Sequence, residues 1–177
     1  MDMLGIIGQD WKTLPWKSEA DPGCGAFKAR LKAELQAALQ AMTERRDGEE
    51  EDEGAAQFML VIDRGVPLWA AELLLVLKRE RPRMMIVCLV REGQEEAWPE
   101  PMGRKWRYIL ARCDQRIARA EWRTGEDGDD RAAFLLECCD ALLAVWDGRA
   151  GGVWPVIAQA RRRGREVRIL PPEEPGV

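Results

Sequence analysis

The sequence predicts an α/β fold, a three-layer Rossmann-like sandwich around a mainly parallel central sheet. Three observations predict it. Short runs that are apolar at successive positions, MLGIIG at 3–8, FMLVI at 58–62 and ALLAVW at 141–146, read as strands covered on both faces. Amphipathic stretches of three- and four-residue spacing alternate with those runs, the rhythm of helices laid on a parallel sheet. Glycines stand where strands end, at Gly8, Gly65 and the pair Gly151-Gly152. The length of 177 residues suits one domain, taken as 1–177.

The first strand spans 3–8, and residues 9–25 read as loop, with two prolines, several glycines and no clean period. A helix from Phe27 to Met42 follows, with Phe27, Leu31, Leu35, Leu39 and Met42 on one side. Residues 47–54, DGEEEDEG, are a like-charged run that self-repels, read as an acidic flexible loop. Phe58–Ile62 is the second strand. After the turn Asp63-Arg64-Gly65 a strongly apolar helix runs from Val66 to about Arg79, with Pro67 in its first turn, where a missing N–H costs little.

Arg83–Leu89 is the third strand. Residues 91–107 read as irregular, and a helix is placed around Lys105–Arg112. Gln115–Ala118 is a short fourth strand, Glu121–Asp129 a polar loop, Asp130–Cys138 a helix and Ala141–Trp146 a strand. Val153–Arg163 is a helix with Gly164 at the position that favours a left-handed end. Glu166–Leu170 is the last strand, and 171–177 a disordered tail.

Composition narrows the chemistry. The chain has no histidine and a single serine, Ser18, so Ser-His-Asp and Cys-His arrangements are excluded. Five cysteines at irregular spacing do not form a disulfide framework, and Cys88, Cys138 and Cys139 read as small core residues. No metal is expected, because there is no His and no CxxC pair. The net charge of −4 argues against nucleic acid as a partner; the tract Arg161-Arg162-Arg163-Gly164-Arg165 reads as a solvated helix end. No apolar run reaches the length of a membrane span, so no membrane partner is expected and a cytoplasmic location is the default.

Ligands of parallel sheets bind beyond the carboxyl ends of the strands. That rule selects four loops. The first is Gly8-Gln9-Asp10, and the second is Asp63-Arg64-Gly65 leading into Val66 and Trp69. The third is the loop after Leu89, with Glu92, Gln94 and Trp98 suited to a nucleoside's hydroxyls and base. The fourth is Asp147 through Gly151-Gly152-Val153, two glycines opening a helix, where a phosphate is favoured. Asp63 sets negative charge at the second loop and Pro67 deletes a donor, so the fourth is the better phosphate candidate.

Three motifs in this order resemble the YpsA-like family, a branch of the SLOG superfamily that includes DprA and the LOG phosphoribohydrolases. They are Leu68-Trp69-Ala70-Ala71-Glu72, then Glu92-Gly93-Gln94-Glu95-Glu96-Ala97-Trp98, then Asp140 through Trp146-Asp147-Gly148 with Gly151-Gly152. The resemblance runs from about Ile6 to Pro171. It implies a single Rossmann-like domain with a site for a nucleotide or a derivative such as ADP-ribose, to which Arg131 also contributes. The chain departs from the family pattern at Asp63-Arg64, Pro67, Ile7-Gly8-Gln9-Asp10, Ala132 and Val153. The expectation is therefore a bacterial nucleotide-binding sensor or regulator with a degenerate site and no catalytic residues. The alternatives are a LOG-type hydrolase of a nucleotide N-glycosidic bond, with Glu72 and Glu92 as its carboxylates, or a family member that acts through protein contacts. A homo-oligomer remains open.

Overall fold

The computed structural model describes residues 1–44, 55–125, 128–149 and 151–173. The expected acidic loop over 47–54 and residues 174–177 of the expected tail lie outside the described residues. The fold is α/β, with a six-stranded, all-parallel sheet between two layers of helices. In chain order the elements are β1 (Met3–Gly8), α1 (Pro22–Glu44), β2 (Gln57–Val61), α2 (Val66–Lys78), β3 (Met85–Leu89), α3 (Glu100–Leu110) and β4 (Gln115–Ile117). A two-residue antiparallel ribbon, β5 (Thr124–Gly125) and β6 (Gly128–Asp129), leads into α4 (Asp130–Cys138). Then come β7 (Ala141–Val145), α5 (Val153–Arg162) and β8 (Glu166–Leu170).

The sheet order is β4-β3-β2-β1-β7-β8. From β1 the chain steps outward to β4, then returns and places β7 on the other side of β1. Parallel crossovers are right-handed, so reversing the direction of travel moves the helices to the opposite face. Two cores follow. Leu4, Ile6, Phe58, Leu60, Ile86 and Leu143 pack beneath α1, α2 and α3. Ile7, Met59, Val61, Val87, Leu142 and Ala144 pack beneath α4 and α5. The alternation along each strand, with both faces buried, is what a continuously apolar run encodes. No described helix is long and apolar enough to cross a membrane.

Two helices begin earlier than the sequence reading placed them. α1 starts at Pro22, inside the expected loop, because Asp21 Oδ1 accepts the Gly23 N–H at 2.8 Å and Cys24 and Phe27 both reach the core. α3 starts at Glu100, inside the expected irregular stretch, because Pro99 and Pro101 sit where a helix start tolerates them and Met102, Trp106 and Ile109 supply the buried face. Cys138 is exposed at the end of α4, contrary to its reading as a core residue; the chain turns extended at Cys139, which is buried instead. The start of the expected 171–177 tail is docked on α1: the Arg30 guanidinium donates to the carbonyls of Pro171 (3.1 Å) and Pro172 (2.6 Å), and Pro172 is buried.

Candidate functional site

The strand order reverses between β1 and β7, whose carboxyl ends lie side by side with Gly8 opposite Val145. The loops after β1, β2, β3 and β7 therefore share one edge of the sheet, the place where open parallel sheets receive ligands.

The loop after β1 is fastened to the turn after β2. Asp10 and Gly65 form an antiparallel bridge, the Trp11 N–H donates to the Arg64 carbonyl at 3.3 Å, and Arg64 Nε meets Asp10 Oδ2 at 2.7 Å. Gly65 has φ +99°, and a Cβ there would lie 2.8 Å from the Trp11 nitrogen, so only glycine serves. The Gly65 carbonyl accepts the Trp69 N–H at 3.2 Å as α2 begins. Gly8 has a different task from admitting a ligand: a Cβ there would lie 2.6 Å from Val66 Cγ1. The space between the end of β1 and the start of α2 is thus filled by Val66. Beside it Gln9 is buried; its Nε2 donates to Thr13 Oγ1 at 3.2 Å and its Oε1 has no protein partner.

The loops after β2 and β3 and the start of α4 meet at Arg131. Its side chain is 5% exposed. The guanidinium donates to the Ile62 carbonyl (2.9 Å), Gln94 Oε1 (3.3 Å), Asp63 Oδ1 (3.2 Å) and Asp129 Oδ2 (2.8 Å). Gln94 Nε2 donates to the same Ile62 carbonyl at 2.9 Å, and its Oε1 accepts the Arg91 N–H at 2.6 Å. Asp129 also caps α4 by accepting the Arg131 N–H at 3.0 Å. A buried guanidinium demands such partners. Burial pushes the Asp63 carboxyl up to about 6 against the opposing pull of Arg131.

The other expected site residues go elsewhere. Trp69 is buried and meets Trp11 edge-on, with ring centroids 5.7 Å apart, in an aromatic cluster with Trp16 and Phe27. Trp98 packs against the α1–α3 core. Glu92 is exposed and paired with Arg116 at 2.6 Å, out on β4. Glu72 is paired with Lys105 at 3.1 Å, which also holds Glu19 at 2.9 Å. So the carboxylates suited to glycosidic hydrolysis are both engaged by cations.

The loop after β7 is the open one. Asp147 Oδ1 accepts the Arg149 N–H at 2.9 Å, and Trp146 Nε1 donates to the Arg149 carbonyl at 2.6 Å. Gly151, Gly152 and Val153 open α5, whose first turn has no side-chain cap. An added Cβ at Gly148, Gly151 or Gly152 would meet nothing within 4 Å. A cavity of about 290 Å³ exists at the opposite edge of the sheet, between α1 and the starts of β1, β7 and β8, where Glu34 and Arg168 are paired at 2.7 Å. It touches none of these loops.

Asp129 and the Ile62 carbonyl were not among the residues the sequence singled out. Asp129 carried a signal, an aspartate directly before a helix start. The Ile62 carbonyl carried none, since a backbone acceptor has no sequence signature.

No family model matches the chain. The chain is similar to UPF0398 proteins of bacilli. One from Bacillus velezensis is 29% identical over 123 residues, covering 68% of each chain. Others from Bacillus thuringiensis and Bacillus cereus are 26% identical over 170 residues, covering 94% of this chain and 86% of theirs.

Proposed function

We propose that the chain is a non-catalytic binding protein of the YpsA-like, SLOG type, which takes a nucleotide or nucleotide derivative at the carboxyl edge and acts as a sensor or regulator. The observation that carries this reading is the contrast among the four loops. The first three are closed on one another through Asp10–Gly65, Gly8–Val66 and the Arg131 cluster, whereas the loop after β7 leaves three glycines with open space at the start of α5. A phosphate there meets backbone N–H groups and the positive end of the helix dipole. The rigid neighbouring loops support a preformed site, which lowers the ordering cost of binding.

Thermal-shift and calorimetric titration of the purified chain with ADP-ribose, NAD, AMP and cyclic nucleotides tests the reading. A ligand at one hundred times its Kd adds about 2.7 kcal/mol of stability, a shift of several degrees. No stabilisation by any of these compounds rejects it.

A further inference from the structure

Of the eight tryptophans, Trp154 alone is exposed, at 42%. It is the second residue of α5, and its ring stacks on that of Trp146, the residue that follows β7. The ring centroids are 5.2 Å apart and the planes 22° from parallel. Trp146 is held on two sides. It packs against the core beneath α4 and α5, and its Nε1 donates to the Arg149 carbonyl at 2.6 Å. The indole pair therefore stands beside the open loop after β7, with Trp146 fixed and Trp154 laid over it. Pro155 comes next and restricts the backbone of the turn that carries Trp154. An exposed tryptophan leaves a wide apolar face in water, and stacking on Trp146 relieves that on one face only. The tryptophans read from the sequence as ligand contacts are spent elsewhere: Trp69 lies in the aromatic cluster with Trp16 and Phe27, and Trp98 packs against the α1–α3 core.

We infer that Trp154 is the residue that selects the ligand's aromatic base. The base lies on the face of Trp154 that Trp146 leaves uncovered and extends the pair into a stack of three ring systems. The inference rests on the nucleotide reading of the carboxyl edge and adds to it the group that reads the base. The placement suits one molecule. Trp154 is two residues beyond Gly152, where the space at the start of α5 is open to a phosphate. In a nucleotide a single ribose separates base from phosphate, so both ends can be met at once. Stacking accepts any base, since every base has a π-face. A base-free sugar phosphate offers nothing to Trp154 and is the ligand that the stack discriminates against.

The test titrates the whole chain and its Trp154→Ala and Trp154→Phe variants with AMP, NAD and ADP-ribose by calorimetry. Ribose 5-phosphate is measured by competition against the tightest of these. That nucleotide should bind the unaltered chain roughly tenfold or more tightly than ribose 5-phosphate. Trp154→Ala should lose the margin and keep its affinity for ribose 5-phosphate, whereas Trp154→Phe should keep most of the margin. Binding should quench tryptophan fluorescence in the unaltered chain and far less in Trp154→Ala. Both variants should melt close to the unaltered chain, because Trp154 is exposed. A nucleotide that binds Trp154→Ala as tightly as the unaltered chain overturns the inference and leaves the nucleotide reading standing. So does the absence of a margin over ribose 5-phosphate in the unaltered chain. Equal losses for nucleotide and ribose 5-phosphate in Trp154→Ala also overturn it, since Trp154 would then only shape the loop. If none of the nucleotides binds the unaltered chain, the inference and the nucleotide reading fall together.

Discussion

Val66 fills the space above Gly8, with its Cβ only 2.7 Å and its Cγ1 2.6 Å from where a Gly8 side chain would begin. The first residue of α2 is thereby seated on the end of the central strand, and the turn at Gly65 is held from both sides. Gly8→Ala should destabilise the chain by about 1–3 kcal/mol through this overlap. Combined with Val66→Gly, which removes the opposing atoms, it should cost less than the two changes summed. Urea denaturation midpoints of the two single variants and the double variant measure the coupling; strict additivity contradicts the contact.

Asp63 gives the fold an unusual pH response. Its carboxyl, at 3.8 in an unfolded chain, is pushed up to about 6 by burial. The folded state holds that proton more tightly, so the group's contribution is full below 3.8 and is lost as pH rises through about 6. Asp63→Asn should therefore gain stability relative to the unaltered chain on going from pH 4 to pH 7. Parallel urea titrations at both pH values decide it, and a difference independent of pH counts against the raised Asp63 carboxyl.

Glu19 behaves in the opposite sense. Burial alone would raise its pKa, but hydrogen bonds from Lys28 (2.7 Å) and Lys105 (2.9 Å) together outweigh that and lower it to about 2. Its stabilisation is present above the unfolded value of 4.5 and is lost as pH falls towards about 2. Glu19→Gln should melt below the unaltered chain at pH 7, and the gap should close near pH 2.5. Thermal melts across that range follow it directly.

Gly152 has helical backbone angles, with φ −63°, and open space around it, so an aspartate fits there without strain. As the N-cap of α5, Gly152→Asp should leave the melting temperature unchanged or slightly raised. The added carboxylate should at the same time weaken any phosphate-bearing ligand by roughly tenfold or more. Unchanged nucleotide affinity by calorimetry would move the phosphate position away from α5.

The strands were legible because burial on both faces leaves an unbroken apolar run, as in Phe58–Ile62 and Ala141–Val145. The helix starts at Pro22 and Glu100 were hidden, since Pro22-Gly23 and Pro99-Glu100-Pro101 read locally as turns; only the burial of Cys24 and Met102 in a finished core makes them helical. Of the site, the carboxyl-edge loops were legible from glycine positions and the strand-to-helix rhythm. The internal use of those loops was not. Gly8 yields to Val66, 58 positions further along, and Arg131 answers to a carbonyl at Ile62 and an amide at Gln94. Trp69 was read as part of a ligand loop, and the fold instead places Trp11, Trp16 and Phe27 around it.

The central strand is completed late. β1 is paired on one side by β2 and on the other by β7, which begins only at Ala141. As a ribosome makes the chain, β1 through β4 can assemble with α1–α3 long before β7 emerges. Until then β1 carries a bare edge of N–H and C=O groups, and until α4 has been made Met59 and Val61 of β2 lack its cover as well. Translation products that stop short of Ala141 therefore expose a sticky strand edge beside an apolar face, making them clients for chaperones or seeds for aggregation.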